Sequence, residues 1–248
     1  MKLHGIMFAS ALLGGTLVSA QTATARIDGV GPRFSGTNID KMVTELKSVP
    51  QKSEFETESE YADRTSAPKD PALLRFALSG EFLLSWVGFE YDPESKTMSA
   101  TLRGLTCDRL WVEPGAPEVC YLKVGAKTLS SRNYQAKNSF GATVVVEERV
   151  IEIHGVALGA SKVQGLRKPS PTFSWPMEAN EAREIKQFLK LVLECRQSQR
   201  RLYHDVRGKE ATLSSPYAIT NELFLLPVNV EALAVFDSRT GQIVKRFE

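Results

Sequence analysis

"PMEANEAREIKQFLKLVLECRQSQRR", residues 176–201, is the stretch whose reading decides the fold. At 3.6-residue spacing, Ile185, Phe188, Leu189 and Val192 form one apolar stripe that Cys195 continues. Glu178, Glu181 and Glu184 stand near its start, and Arg196, Arg200 and Arg201 near its end. That order of charges suits a helix dipole. The pattern predicts a long amphipathic helix over about 178–201, with Cys195 as a buried thiol.

Strand patterns lie on both sides of it. "GEFLLSWVGFEYD" (80–92) is rich in aromatic and β-branched residues, "PESK" is a turn, and "TMSATLRG" alternates with Met98, Ala100 and Leu102 on one side. This predicts a hairpin with one buried face. Further strands are expected at Val119–Val124, within "NSFGATVVVEERVIEIHGVAL" (138–158), and in "EATL", "ELFLLPVNV" and "EALAVFDSRTGQIVKRFE" (210–248). In the last of these, "DSRTG" is a turn joining Leu233–Phe236 to Gln242–Phe247. Before all of these, Thr37 or Asn38 caps a helix over Ile39–Lys47, which Pro50 ends. Strands outnumber helices and do not alternate with them. The expected fold is therefore α+β: antiparallel-dominated sheet, an N-terminal helical segment and the one long helix. The expected division is 1–20 as a signal peptide, 21–36 as a flexible start and 37–248 as a single domain.

The signal-peptide expectation rests on three features. A short basic start is followed by an uncharged apolar run, Ile6–Val18, and then by small residues at Val18-Ser19-Ala20 before Gln21. A second cut is possible after Ala25. No Cys follows the run, as a lipid anchor would need, and no later segment is long and apolar enough to span a membrane. A periplasmic or secreted location follows, and an oxidising compartment permits disulfides. Cys107 and Cys120 bracket the Pro- and Gly-rich "CDRLWVEPGAPEVC" and are the expected pair.

Composition narrows function without defining it. A net charge of +2 over 248 residues argues against a dedicated nucleic-acid binder and against an acidic calcium buffer. No His-Glu-x-x-His, Gly-x-Ser-x-Gly or zinc-ligand spacing occurs. "GAKT" (125–128) lacks the glycines of a phosphate loop, and Pro68 spoils "SAPK" as a Ser-x-x-Lys helix turn. His154, beside Gly155 on an apolar strand, reads as a structural histidine. The basic run "RQSQRRLYHDVRGK", with Arg196, Arg200, Arg201 and Arg207, reads as a solvated helix end or as a surface for an anionic polymer. In "KSEFETESEYADR" (52–64), Ser53-x-x-Glu56 forms a capping box and Glu60 faces Arg64 at i, i+4. That makes the stretch a helix rather than a four-carboxylate strand face. It is expected to dock through Phe55 and Tyr61, leaving Glu58 on the buried arc in need of a partner.

The acidic helix "EFETESEYADR", the "NSFGA" turn before a strand and the closing "VFDSRTGQIV" resemble exported bacterial proteins of no assigned function. The resemblance implies export and carries no catalytic residues. The expectation is an exported binding or envelope-accessory module, with an envelope protein or anionic polymer as partner and no cofactor or metal. Two alternatives stay open: a hydrolase of wall or surface polymers using Glu147 and Glu148 as acid and base, and a subunit of a larger envelope assembly.

Overall fold

The computed structural model describes residues 34, 36–50, 52–78, 85–110, 118–137, 140–168 and 170–248. The proposed signal peptide, Gly80–Leu84 of the first expected hairpin and Asn138-Ser139 of the "NSFGA" turn lie outside them. In chain order the elements are α1 (Ile39–Lys47), α2 (Glu58–Arg64), β1 (Leu73–Leu78), β2 (Trp86–Asp92), β3 (Thr97–Arg103), β4 (Thr106–Arg109), β5 (Glu118–Lys137), β6 (Thr143–Ser161), β7 (Thr172–Pro176), α3 (Ala179–Ile185), β8 (Leu189–Gln197), β9 (Tyr203–Lys209), β10 (Tyr217–Asp237) and β11 (Gln242–Phe247).

Strands make up 57% of the structure and helices 13%, so the fold is mainly β and the α+β expectation is corrected. The correction falls on residues 176–201. Helix α3 stops at Ile185, a 3-10 turn spans Lys186–Phe188, and Leu189 opens a nine-residue strand. Along β8, Leu189, Leu191, Leu193 and Cys195 face the main core while Val192 enters a separate cluster on the other face. A strand that is apolar on both faces reads as a continuous apolar run, so its period cannot be told from that of a buried helix. Tertiary pairing decided the outcome: β8 lies between β1 and β10 and is antiparallel to both.

The eight-stranded sheet runs β1-β8-β10-β6-β5-β4, with β9 and β11 also paired to β10. β10 is its hub. Val228 and Val230 pair with β6 and with β8 at once, so those strands lie on opposite sides of it. β9 therefore shares the β8 side and β11 the β6 side. Pro227 sits in the middle of this central strand, where a missing N–H is normally costly. Its carbonyl accepts from the Ser198 amide on the β8 side. A strand residue's donor and acceptor point the same way, so the absent N–H faces the junction where β8 ends and β9 begins. The β6–β10 pairing is parallel, and every other strand pair is antiparallel.

A three-stranded sheet, β2-β3-β7, covers one face of the large sheet. Met98, Ala100 and Leu102 of β3 point inward as their alternation predicts. They join Phe173 and Trp175 of β7 against Phe76, Leu191, Leu193 and Leu226 of the large sheet. α1 forms over the expected residues, with Asn38 Oδ1 accepting from the Lys41 amide and Ile39 and Val43 buried. The β10–β11 hairpin also forms at the expected turn, where Gly241 takes a φ of 73°. "EATL" is a loop rather than a strand; pairing with β10 falls on β9 just before it.

The segment 52–64 is corrected in detail. The helix is α2, capped reciprocally by Thr57 and Glu60. Glu60 is occupied there, and Arg64 forks instead onto Glu56 at 2.8 and 2.9 Å. Phe55 is 89% exposed, so it does not dock the segment. Glu58 is exposed and pairs with Lys52 at 3.1 Å, so it is a surface residue.

Candidate functional site

The long hairpin β5–β6 positions every group of chemical interest. Successive strand residues face opposite sides, so β6 divides its side chains cleanly. Val156 and Leu158 join the main core, whereas Ile151, Ile153 and Ala157 enter a second core with Tyr121, Leu110, Leu223 and Leu225. Three features follow: a polar latch on the first face, a charged cluster on the second, and a cleft where the first face continues to the hairpin's far end.

The latch holds α1 to the sheet. His154 is buried, with Nδ1 2.5 Å from Asp40 Oδ1 on α1 and Nε2 2.6 Å from Glu152 Oε1. When both carboxylates are ionised, satisfying both contacts requires a proton on each ring nitrogen. Lys47, on the last turn of α1, donates to Glu152 Oε2 at 2.7 Å, and its amine lies 3.6 Å over the ring of Phe224. Phe224 also meets His154 edge-on at 6.3 Å and stacks on His204 at 4.5 Å. Burial pushes the Glu152 carboxyl up, but the hydrogen bonds from Lys47 and His154 outweigh it and hold Glu152 below the usual carboxylate range. With both ring nitrogens in contact with carboxylates, His154 fastens α1 to the sheet.

The opposite face carries Arg207. Its guanidinium meets Asp205 and Asp108, each at 2.7 Å, and donates to the Arg109 carbonyl. β9 and β4 stand at opposite ends of the ladder β4-β5-β6-β10-β9, so contact between them means the sheet curls around the second core. The Arg207 hydrogen bond holds Asp108 low. Burial pushes the Tyr121 hydroxyl up and, with Arg207 nearby, the Lys123 amine down. The Cys107–Cys120 bond, at an S–S distance of 2.11 Å, joins directly paired positions of β4 and β5 beside this cluster. Cys195 is a free buried thiol, on a strand rather than on the expected helix, and burial pushes it up.

The four arginines of the basic run do not form one patch. Arg196 pairs at 3.8 Å with Glu231 and donates to the Pro71 carbonyl, Arg201 bonds Gln199, and Arg207 is occupied as above. Arg200 is exposed, without an ion pair among the described residues. Arg196 is aligned with Asn229 and Arg207 with Asn221 on β10. Eight residues of strand separate those positions by about 26 Å. Glu147 and Glu148 are neighbours on β6 and so face opposite sides of the sheet. Glu147 pairs with Arg149 at 2.5 Å and Glu148 with Arg132. That arrangement does not set two carboxyls across one bond as glycoside hydrolysis requires. Among the described residues no group of three His, Cys, Asp or Glu side chains is placed to hold a metal ion, and no helix is long and apolar enough to cross a membrane.

A hollow of about 630 Å³ lies on the His154 face near the hairpin's end. Its floor crosses four strands: Tyr134 and Ala136 of β5, Val144 and Val146 of β6, Ala218 and Thr220 of β10, and Gly208 of β9. The register lines them up, Tyr134 opposite Val146, Ala136 opposite Val144, and Thr220 opposite Gly208. Small residues at 136, 208 and 218 make the depression. The segment Glu210–Leu213 walls one side, and Lys137 and Lys209 stand at the rim. Sequence reasoning missed this site, since its parts come from four segments. The one local signal is Gly208 inside a strand, a position that often marks close approach of another molecule or backbone. The latch was half legible, because Glu152 and His154 at i, i+2 share a strand face. Asp40 was not, being 114 residues away.

No protein-family model matches the chain, and no curated protein or solved structure is significantly similar to it.

Proposed function

We propose that the chain is an exported binding module whose ligand occupies the cleft between Tyr134, Val146, Ala218 and Gly208. The observation that carries this reading is Gly208. A Cβ built there meets no atom within 4 Å, so nothing in the fold's packing needs a glycine at this strand position. The open space is the floor of the cleft. Glycine in a strand interior weakens it, and a site that keeps its floor low gains room for a ligand in return. The cleft's size falls within the range of small-molecule sites, about 300–1,000 Å³. Export is supported by the basic, apolar and small-residue order of residues 1–20 and by the Cys107–Cys120 bond, which an oxidising compartment sustains. The assembly-subunit reading has weaker support. The exposed Tyr134 and Val145 lie on opposite faces of the hairpin and so do not build one apolar patch.

The test compares the wild-type protein with Gly208→Leu, which fills the cleft from its floor. Both are incubated with an envelope extract, washed and examined by native mass spectrometry. The wild type should retain a small-molecule adduct that the variant lacks. Equal adducts on both proteins, with matched circular dichroism, would refute binding at this cleft.

A further inference from the structure

Independently of the cleft, we propose that the Cys107–Cys120 bond is a reducible clasp: a dithiol opens it, and β4 then comes off the second core while the rest of the fold stays in place. β4 is built as a strap. It has four residues, and its one ladder partner among the described strands is Glu118–Tyr121 of β5. β9 faces it across the curl without backbone pairing among the described residues, so the Arg207 side chain bridges that seam. Upstream the strap is anchored: Leu105 packs on the main core, and the Gly104 carbonyl accepts from Ser85 Oγ at 3.0 Å. The fasteners of β4 lie on opposite faces, because successive strand residues alternate. Cys107 is tied to Cys120 on the face of the main core. Asp108 is tied to Arg207 on the face of the second core, where Thr106 also bonds the Tyr121 hydroxyl.

The polar face gives way cheaply. Arg207 also holds Asp205, which is 0% exposed, so it keeps a carboxylate when β4 leaves, and Asp108 is already 45% exposed. No charge is left buried and unpaired, the condition that makes breaking a buried ion pair expensive. Leu110, just past the strap, is the apolar side chain that must leave the second core with it. A short edge strand with so little buried surface belongs to the low-stability end of a fold, and the covalent bond is what holds it shut. Cys107 is exposed at this edge, so a thiolate can reach its sulfur. The reagent's thiolate attacks Cys107 Sγ, the S–S bond breaks, and Cys120 leaves as a thiolate that takes a proton. The reagent's second thiol then displaces Cys107 from the mixed disulfide. The protein gains two electrons and ends with free thiols at Cys107 and Cys120, and the reagent ends as a disulfide. Cys195 takes no part, being buried on β8.

The test treats the folded protein with dithiothreitol in the absence of denaturant, traps thiols with iodoacetamide and follows amide exchange by mass spectrometry. Cys107 and Cys120 should be alkylated and Cys195 should not. Peptides covering 106–110 and 118–121 should then exchange at least about tenfold faster, as local opening allows, while those of β8 and β10 stay unchanged. In a sample left unalkylated, reoxidation should restore the protection. Cys107→Ser/Cys120→Ser should show the same fast exchange with no reagent added, and Asp108→Asn with the bond intact should keep 106–110 protected. Thiols that appear only in denaturant, or released thiols with 106–110 still protected, overturn the clasp. Cys195 alkylated together with the pair, with β8 and β10 exchanging alongside β4, makes the bond a staple of the whole fold and overturns it as well. Opening of 106–110 in oxidised Asp108→Asn assigns the fastening to the ion pair instead, with the same consequence.

Discussion

Glu194→Gln removes a negative charge from a fully buried carboxylate of the sheet, and its cost follows from three side chains. Glu194 is 0% exposed, on the face of β8 that carries Val192. Arg75 of β1 donates from Nε to Oε1 at 3.0 Å, and Arg246 of β11 meets Oε2 at 2.6 Å. The carboxylate thus ties β1, β8 and β11 across β10. Removing one partner of a fully buried ion pair costs about 3–5 kcal/mol. Here the two guanidinium side chains keep 26% and 39% of their exposure, so both stay in contact with water after the substitution. The glutamine retains one acceptor and turns an N–H group toward the other arginine. We therefore expect a loss of about 2 kcal/mol. With a urea slope of about 2–3 kcal/mol/M, the unfolding midpoint followed by tryptophan fluorescence should fall by about 0.7–1 M with the slope unchanged. The triple replacement Arg75→Met/Glu194→Leu/Arg246→Met should recover most of that loss, since well-packed apolar groups replace buried ions at little cost. A Glu194→Gln midpoint within about 0.2 M of wild type would refute the reasoning.

Three further outcomes are expected. Gly155→Ala would place a Cβ 2.5 Å from the Leu122 carbonyl oxygen and 2.9 Å from Leu225 Cδ2; with backbone on one side, it should destabilise by about 2–3 kcal/mol, and a wild-type denaturation curve would contradict that close approach. Cys107→Ser/Cys120→Ser opens a bridge between residues 13 apart in sequence and should lose about 3 kcal/mol by the chain-entropy relation; mass spectrometry showing both thiols free in the unreduced native protein would contradict the bond itself. Glu152, Asp108 and Asp237 are held below their ordinary values, Glu152 by Lys47 and His154 against its burial, and the other two chiefly by hydrogen bonds from Arg207 and Arg239. A depressed folded value means the contribution is complete above about pH 4.5 and is lost as pH falls through the folded values, so urea midpoints should hold from pH 7 to 5 and decline below; Glu152→Gln should decline less steeply, and parallel acid profiles would argue against the latch.

Where local chemistry suffices, the sequence was enough. Asn38 caps α1 because its side-chain oxygen lies within reach of the Lys41 amide three residues on. β3 alternates Met98, Ala100 and Leu102 because only one of its faces meets the core, and "DSRTG" closes a hairpin because Gly241 tolerates positive φ. Cys107 and Cys120 pair across a short loop, as their spacing predicts. These signals lie within a few residues or in a one-sided alternation, which survive reading along the chain. Residues 176–201 lack both. A strand buried on both faces carries no period, and the stripe read there as a helix is equally a strand between β1 and β10. The parallel pairing of β6 with β10 left no trace in order or spacing. Arg64 chose Glu56 over Glu60 because Glu60 was already held by Thr57. His154 found Asp40 only once α1 lay on the sheet, and the cleft exists only where Ala136, Gly208 and Ala218 line up across strands. Sequence by itself determined the caps, turns and one-faced strands, because their causes are local. Tertiary structure alone decided the fold class, the latch and the cleft, because each is set by which distant strands pair and in what register.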